Sequence, residues 1–238
     1  TATGLLNVIQ PASLPVRPSS PSSRFYAVVA FALGLVATFG VAVMYDLSST
    51  RFRTVDDLQR AIDLPILAEF PRVRSSQPRL PREATNYLRA SVLLATEDVD
   101  DRVLLVTSAR RGQGATSVAV ALAESFARSG SRALLVDADT TNPGVARAYG
   151  LDLASDPDLR AFVQPSDEPV DPVAVHVDAG HELDIVPSVG MLSTTTDLSS
   201  AKLGAALRRW ADRYDIVIVD SGSMISSADP LIVAPHCS

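Results

Sequence analysis

The sequence predicts an α/β domain, a parallel sheet with flanking helices, preceded by one transmembrane helix. Three observations carry this reading. Short apolar, β-branched runs alternate with amphipathic segments along residues 103–220, the pattern of strands buried on both faces by crossover helices. Three of those runs end in polar signatures, at the edge where ligands bind in open parallel sheets. Finally, Tyr26 to Tyr45 is a stretch of twenty residues without a charge, long enough to cross a hydrocarbon core about 30 Å thick.

Residues 1–24 hold Pro11, Pro15, Pro18 and Pro21 among serines, which favours extended structure and a linker on the extracytoplasmic side. The span, 25–46, has tyrosines at both ends, where amphipathic rings suit the membrane interface. Arg51, Arg53 and Arg60 follow it against Arg17 and Arg24 before it, so the C-terminal side is expected to be cytoplasmic. Residues 47–82 read as a juxtamembrane connector. Thr54 and Asp57 resemble a capping box for a short helix with Val55, Leu58 and Ile62 on one face. Leu64-Pro65 stops it, Ile66-Leu67 reads as extended, and the polar run 72–82 as a linker.

The nucleotide-type domain is expected over 83–238. Its opening helix, Arg82 to Ala95, turns Leu88, Val92 and Ala95 inward. Strands then fall at 103–107, 133–137, 183–187 and 216–220, with helices at 117–129, about 144–149 and about 199–213. Residues 151–181 form a variable stretch, and SADPLIVA near the end is helix-like. Gly130 and Gly150 stand as helix stops. Four strands make a thin sheet, so the C-terminal part of the domain is expected to lie beyond Ser238. The sequence also begins without Met, as a piece of a longer protein would.

A net charge of −6 argues against nucleic acid as a partner. One cysteine and three scattered histidines argue against disulfides and a His/Cys metal site. Of the 21 basic residues, Lys202 alone is lysine.

The chemistry concentrates at the strand ends. In VLLVTSARRGQGATS, a strand runs into a loop holding Gly112 and Gly114, then Thr116, Ser117 and a helix. Glycines let backbone N–H groups approach an anion, and the helix N-terminus adds partial positive charge. A P-loop places Lys between the last glycine and the hydroxyl residue; here that residue is Ala115. Guanidinium groups bind phosphate well, which makes Arg110 and Arg111 candidates to compensate. ALLVDADTTNP puts Asp137 and Asp139 just past the second strand, and IVIVDSGS puts Asp220 at the end of the last. A hydroxyl and carboxylates around one anion are what a magnesium nucleotide requires.

RTVDDLQRAIDLPILAEFP, EATNYLRASVLL, VTSARRGQGATS, LLVDADTTNP and YDIVIVDSGSMISSAD together resemble the bacterial tyrosine autokinases (BY-kinases) of capsular and exopolysaccharide synthesis. These are polysaccharide co-polymerases that join a periplasmic chain-length domain, through a membrane helix, to a cytoplasmic kinase. The resemblance implies a deviant P-loop fold shared with the MinD/ParA cell-division and partition ATPases. It implies ATP and Mg²⁺ as cofactors, bound by the loop Arg111, Gly112, Gln113, Gly114, Ala115, Thr116 and Ser117. Thr116, Asp137 and Asp220 would attend the metal. Asp137 and Asp139 would be the catalytic carboxylates, one helping to deprotonate a tyrosine. Glu83, Asn86 and Arg89 would lie on the helix that packs subunits into a homo-oligomeric ring. The implied surroundings are the plasma membrane with its lipid, in a single pass, and the polysaccharide polymerase and export machinery.

The chain departs from that pattern in several places. Ala115 replaces Lys, Thr141 and Asn142 stand for basic residues, Gly222-Ser223 for a prolyl pair, and Asn86 for an Arg. Its tyrosines (26, 45, 87, 149 and 214) are dispersed rather than clustered at a tail. Two alternatives therefore stay open: an inactive pseudokinase adaptor that scaffolds the co-polymerase, and a MinD/ParA-type ATPase.

Overall fold

The computed structural model describes residues 22–48, 64–70, 80–97, 103–152, 157–163, 171–188 and 200–237. The chain divides into two units, Thr1–Leu64 and Pro65–Ser238. The first contains helix α1, Ser23–Ser48, which takes in the expected span and is long and apolar enough to cross a membrane. Its apolar side chains, such as Phe31, Val36 and Phe39, are exposed. Thr38 donates its hydroxyl to the Gly34 carbonyl at 2.7 Å, which satisfies the polar group within the helix, as an apolar medium demands. The short helix expected around Val55–Ile62 and most of the 72–82 linker lie outside the described residues.

The second unit contains α2 (Arg82–Ala95), β1 (Val103–Val106), α3 (Ala115–Arg128), β2 (Ala133–Asp137), α4 (Val145–Tyr149) and α5 (Leu159–Val163). It continues with β3 (Val173–Asp178), β4 (His181–Val186), α6 (Ser200–Ala211), β5 (Ile216–Asp220) and α7 (Asp229–Val233). A 3₁₀ turn, Ala234–His236, follows. The sheet order is β1-β5-β2-β4-β3. The pairs β1–β5, β5–β2 and β2–β4 are parallel, as expected, while β3 pairs antiparallel with β4. β3 is an addition to the four strands expected. It falls in the stretch read as variable and joins β4 through a tight turn at Ala179-Gly180, where Gly180 takes φ 108°.

Every residue of β2 and β5 is buried, and successive side chains point to opposite faces. Leu134, Val136, Val217 and Val219 therefore meet Leu203, Leu207 and Trp210 of α6 on one face. Leu135, Ile216 and Ile218 meet Leu122 and Phe126 of α3 and Leu88 and Val92 of α2 on the other. Burying a side chain of this size contributes about 1.5–3 kcal/mol. The inner stripe of α2 is Thr85, Leu88 and Val92, continued by Thr96 just past the helix, whereas Ala95, expected inside, is exposed. Positions 95 and 96 fit the helical period equally well; at the end of the helix it is Thr96 that is held inward, its hydroxyl donating to the Val92 carbonyl at 2.9 Å.

Register then does the positioning. Asp220 pairs with Val106 on one side and with Asp137 on the other, so the ends of β1, β5 and β2 lie level at one edge of the sheet.

Candidate functional site

At that edge the chain leaves β1 for the glycine loop. Gly112 and Gly114 take φ 78° and 94°, the left-handed region that a residue with Cβ enters only with strain. Neither glycine has an atom within 4 Å of where a Cβ would stand, so backbone conformation, not crowding, requires them. Gly114 is the N-cap of α3, which aims the first N–H groups of that helix at the loop's mouth. Gln113 turns back on the loop, its Oε1 accepting from the Arg110 N–H at 2.9 Å. The Thr107 hydroxyl donates to the Gly222 carbonyl at 2.8 Å, which ties the loop to the segment after β5.

The loop forms one wall of a cleft of about 340 Å³. Arg111, Gly112, Gly114, Ala115, Thr116 and Ser117 line it. Asp139, Asn142 and Arg147 line it from the segment after β2, and Ser221 and Ser223 from the segment after β5. Thr116 and Gly144 touch across the floor: a Cβ on Gly144 would meet Thr116 Cγ2 at 2.8 Å and Oγ1 at 3.2 Å. Beyond that contact a larger groove of about 590 Å³ opens between α2, α3 and α4 and shares Thr116, Ser117, Gly144 and Arg147 with the cleft.

The carboxylates differ sharply in their surroundings. Asp139 Oδ1 accepts from the Thr141 N–H (3.0 Å), the Thr141 hydroxyl (2.7 Å) and the Asn142 N–H (2.9 Å), so it is well satisfied and stiffens the turn below the cleft. Asp137 accepts from the backbone N–H groups of Asp139, Gly144 and Val145, each at 3.1 Å. Burial, then the neighbouring Asp220 charge, still push it up to about 8, against the pull of those N–H groups. Asp220 is fully buried, and neither of its carboxylate oxygens has a hydrogen-bond partner. Burial raises it to about 7; the nearby Thr116 hydroxyl opposes the shift without reaching hydrogen-bond geometry. Ser223 Oγ is likewise buried and unpartnered.

Two orphaned carboxylate oxygens and an orphaned hydroxyl beside a glycine loop fit a hard cation with an anion. Such groups are costly to leave unmade and are the donors that Mg²⁺ takes. The donor that a P-loop would add is missing, since Ala115 ends at Cβ. Lys202 does not replace it, being exposed on α6 and outside the cleft lining. Arg110 is exposed and outside the cleft lining, whereas Arg111 lines it.

The structure thus brings Arg111, Gly112, Gly114, Ala115, Thr116, Ser117 and Asp139 to one cleft, with Asp137 and Asp220 beneath it. Glu83, Asn86 and Arg89 lie on α2, away from it. Glu83 is exposed, Asn86 Oδ1 accepts from the Ser125 hydroxyl at 2.9 Å, and Arg89 is half-buried. Sequence reasoning missed Gly144, Arg147, Ser221 and Ser223. Ser221 and Ser223 could have been found from their place beside Asp220. Arg147 gave no signal, because only the chain's return over β2 brings α4 to the cleft.

Gly144 gives a direct test. Gly144→Ala forces its methyl against the Thr116 side chain, so we expect a loss of about 1–3 kcal/mol, the usual range for overpacking. Gly222→Ala, whose nearest contacts would be 3.2–3.4 Å, should lose less. Denaturant unfolding of the two variants checks the order.

Comparison with known proteins agrees with this geometry. A family profile described as "AAA domain" matches residues 101–230. Tyrosine-protein kinase etk of Escherichia coli K12 is 25% identical over 98% of this chain. Tyrosine-protein kinase YwqD of Bacillus subtilis 168 is 28% identical over 68% of this chain and 67% of its own. The chain spans 36% of the length of etk. Among solved structures, the kinase domain of Escherichia coli tyrosine kinase ETK superposes with a TM-score of 0.63 at 20% identity. That superposition covers 79% of this chain and 80% of that one. With its glycine loop, parallel sheet and level strand ends, the chain belongs to the AAA domain family, and its curated relatives are bacterial tyrosine-protein kinases.

Proposed function

We propose that this chain is the membrane-anchored, tyrosine-autokinase-like component of a capsular or exopolysaccharide assembly system, with a cleft that takes a magnesium nucleotide. The single observation that carries the reading is Asp220, a buried carboxylate with both oxygens unpartnered, level with Asp137 and beside Thr116. In this reading the N–H groups at Gly112, Gly114 and the start of α3 hold phosphate oxygens. Thr116, Asp137 and Asp220 would hold Mg²⁺, which when bound neutralises phosphate charge. Asp139 lines the cleft and is the carboxylate placed to take a proton from an acceptor hydroxyl. α1 supports a single membrane pass, and the arginines that follow it, Arg51, Arg53 and Arg60, support the cytoplasmic side for the domain. α2, with Glu83, Asn86 and Arg89, is the face assigned to a homo-oligomeric ring, and the further partners are lipid and the polymerase and export machinery.

A second reading has an observation of its own. Ala115 removes the lysine, and losing one group that stabilises transition-state charge typically costs about 10²–10³ in rate. A chain that binds nucleotide weakly and transfers nothing would serve as a scaffold. Titration with Mg–ATP, together with phosphotyrosine detection on the full gene product, separates the two. Saturable Mg-dependent binding with phosphotyrosine supports the kinase. Binding without phosphotyrosine supports the scaffold, and no binding at millimolar nucleotide removes the nucleotide-site reading.

A further inference from the structure

We propose that Arg111, on the glycine loop, and Arg147, on the wall that faces it, form a two-guanidinium clamp that supplies the phosphate-binding charge that Ala115 does not. The proposal rests on the reading of the cleft as a nucleotide site, and adds which residues grip the phosphates. Arg111 Nη2 donates to the Thr141 hydroxyl at 2.6 Å, and Arg147 Nη2 donates to Asn142 Oδ1 at 2.8 Å. Both side chains line the cleft that Ala115 faces.

Their partners are the informative part. Elsewhere three arginines are paired with carboxylates, Arg128 with Glu124 at 3.1 Å, Arg132 with Asp215 at 2.9 Å and Arg160 with Asp158 at 2.6 Å, while Arg209 donates to the Phe162 carbonyl at 3.2 Å. At the cleft, among the described residues, both guanidinium groups rest on neutral acceptors and neither is in an ion pair. They are therefore oriented without being neutralised. The acceptors are themselves fixed, because Thr141 and Asn142 both donate to Asp139 Oδ1. That carboxylate spends its charge on three donors of the turn rather than on either arginine.

A guanidinium carries five donors in a planar fork, so one arginine can hold a neutral acceptor and still present a second edge to phosphate. Arg111 and the α3 N-terminus on one wall and Arg147 on the other give an anion positive partners on both sides. The resting partners, Thr141 and Asn142, are also the positions at which the resemblance to the tyrosine autokinases implies basic side chains. In this chain the positive charge sits one step further out, on Arg111 and Arg147, with Thr141 and Asn142 as its supports.

The experiment measures Mg–ATP affinity of the full chain in detergent for Arg111→Ala, Arg147→Ala, the double variant, Arg147→Lys, and Arg147→Ala combined with Ala115→Lys. Both arginines are exposed, so melting should not change, and circular dichroism confirms folding. Each single Ala variant should bind about ten- to a hundredfold more weakly, the range for losing a charge-assisted hydrogen bond. Salt should weaken the parent's binding more than the double variant's. Arg147→Lys should retain part of the affinity, and Ala115→Lys should recover most of what Arg147→Ala loses. If both single variants stay within twofold of the parent while Asp220→Asn abolishes Mg-dependent binding, the clamp is wrong and the nucleotide site stands. If the parent itself does not bind Mg–ATP, the site reading and the clamp both fall.

Discussion

Ala115→Lys should raise Mg–ATP affinity about tenfold and phosphotyrosine formation by about 10²–10³, the reverse of what removing one preorganised charged group costs. Position 115 opens α3 directly after Gly114 and faces the cleft, so a lysine there points its ammonium into the space where phosphate is expected. Asp139 lines the same cleft, and its Oδ1 already accepts three hydrogen bonds from the turn. The added charge meets Arg111 and Arg147 across the same cleft. Without an anion the variant should therefore melt lower than the parent, and with Mg–ATP it should melt higher. Thermal unfolding with and without nucleotide reads both signs. Equal melting under both conditions would show that position 115 does not face the bound phosphates.

The second large effect belongs to Asp220. Its carboxyl is raised to about 7, and that of Asp137 to about 8, from a usual 3.8. Between roughly pH 4 and 8 the folded chain therefore holds protons that the unfolded chain has released. Stability from this pair is greatest at the acid end, falls as pH rises through that window, and levels off above it. Asp220→Asn removes one of the two charges, and with it the second cause that raises Asp137, while burial, the first, remains. In the presence of a chelator the variant should gain on the order of 1–3 kcal/mol above pH 8 and little near pH 5, where the parent's carboxyls are already neutral. The same change should weaken Mg-dependent nucleotide binding by about a hundredfold or more, since it strips a candidate metal ligand. Denaturant unfolding across pH, set beside Mg–ATP titration, measures both. A variant less stable at every pH would mean that the carboxylate has a structural partner.

Much of this was legible before the structure. Ile216 to Asp220 and Ala133 to Asp137 are short apolar runs ending in Asp, the pattern of strands buried on both faces, and their Asp residues do fall level. The glycine loop was legible because Gly112 and Gly114 are followed at once by a helix-forming segment. β3 escaped because Val173–Asp178 is an edge strand whose alternate side chains are exposed; VAVHVD followed by Ala179-Gly180 was the available signal. Ala95 was assigned inward one residue too early. Arg147 was out of reach for a different reason. Its role depends on the turn from Asp139 to Gly144, held by hydrogen bonds to Asp137 and Asp139, and no local pattern states where that turn delivers α4. The order β1-β5-β2-β4-β3 is a matter of crossovers, which strand periodicity does not encode.

The placement of β2 and β5 has a further consequence. Both are interior strands, paired on each side and covered by helices on each face. In hydrogen exchange such backbones open only when the whole domain opens, while loops and edges open on their own. The two buried carboxylates hang from the ends of these last-to-open strands. Thermal fluctuation therefore has little means to relax them, either by letting water reach Asp220 or by moving it away from Asp137. The cleft's other wall, from Asp139 to Arg147, rests on a turn and a five-residue helix. One side of the site is thus held at the stability of the whole fold and the other at the stability of a local turn, so any closing motion on a ligand falls to the side that carries Arg147.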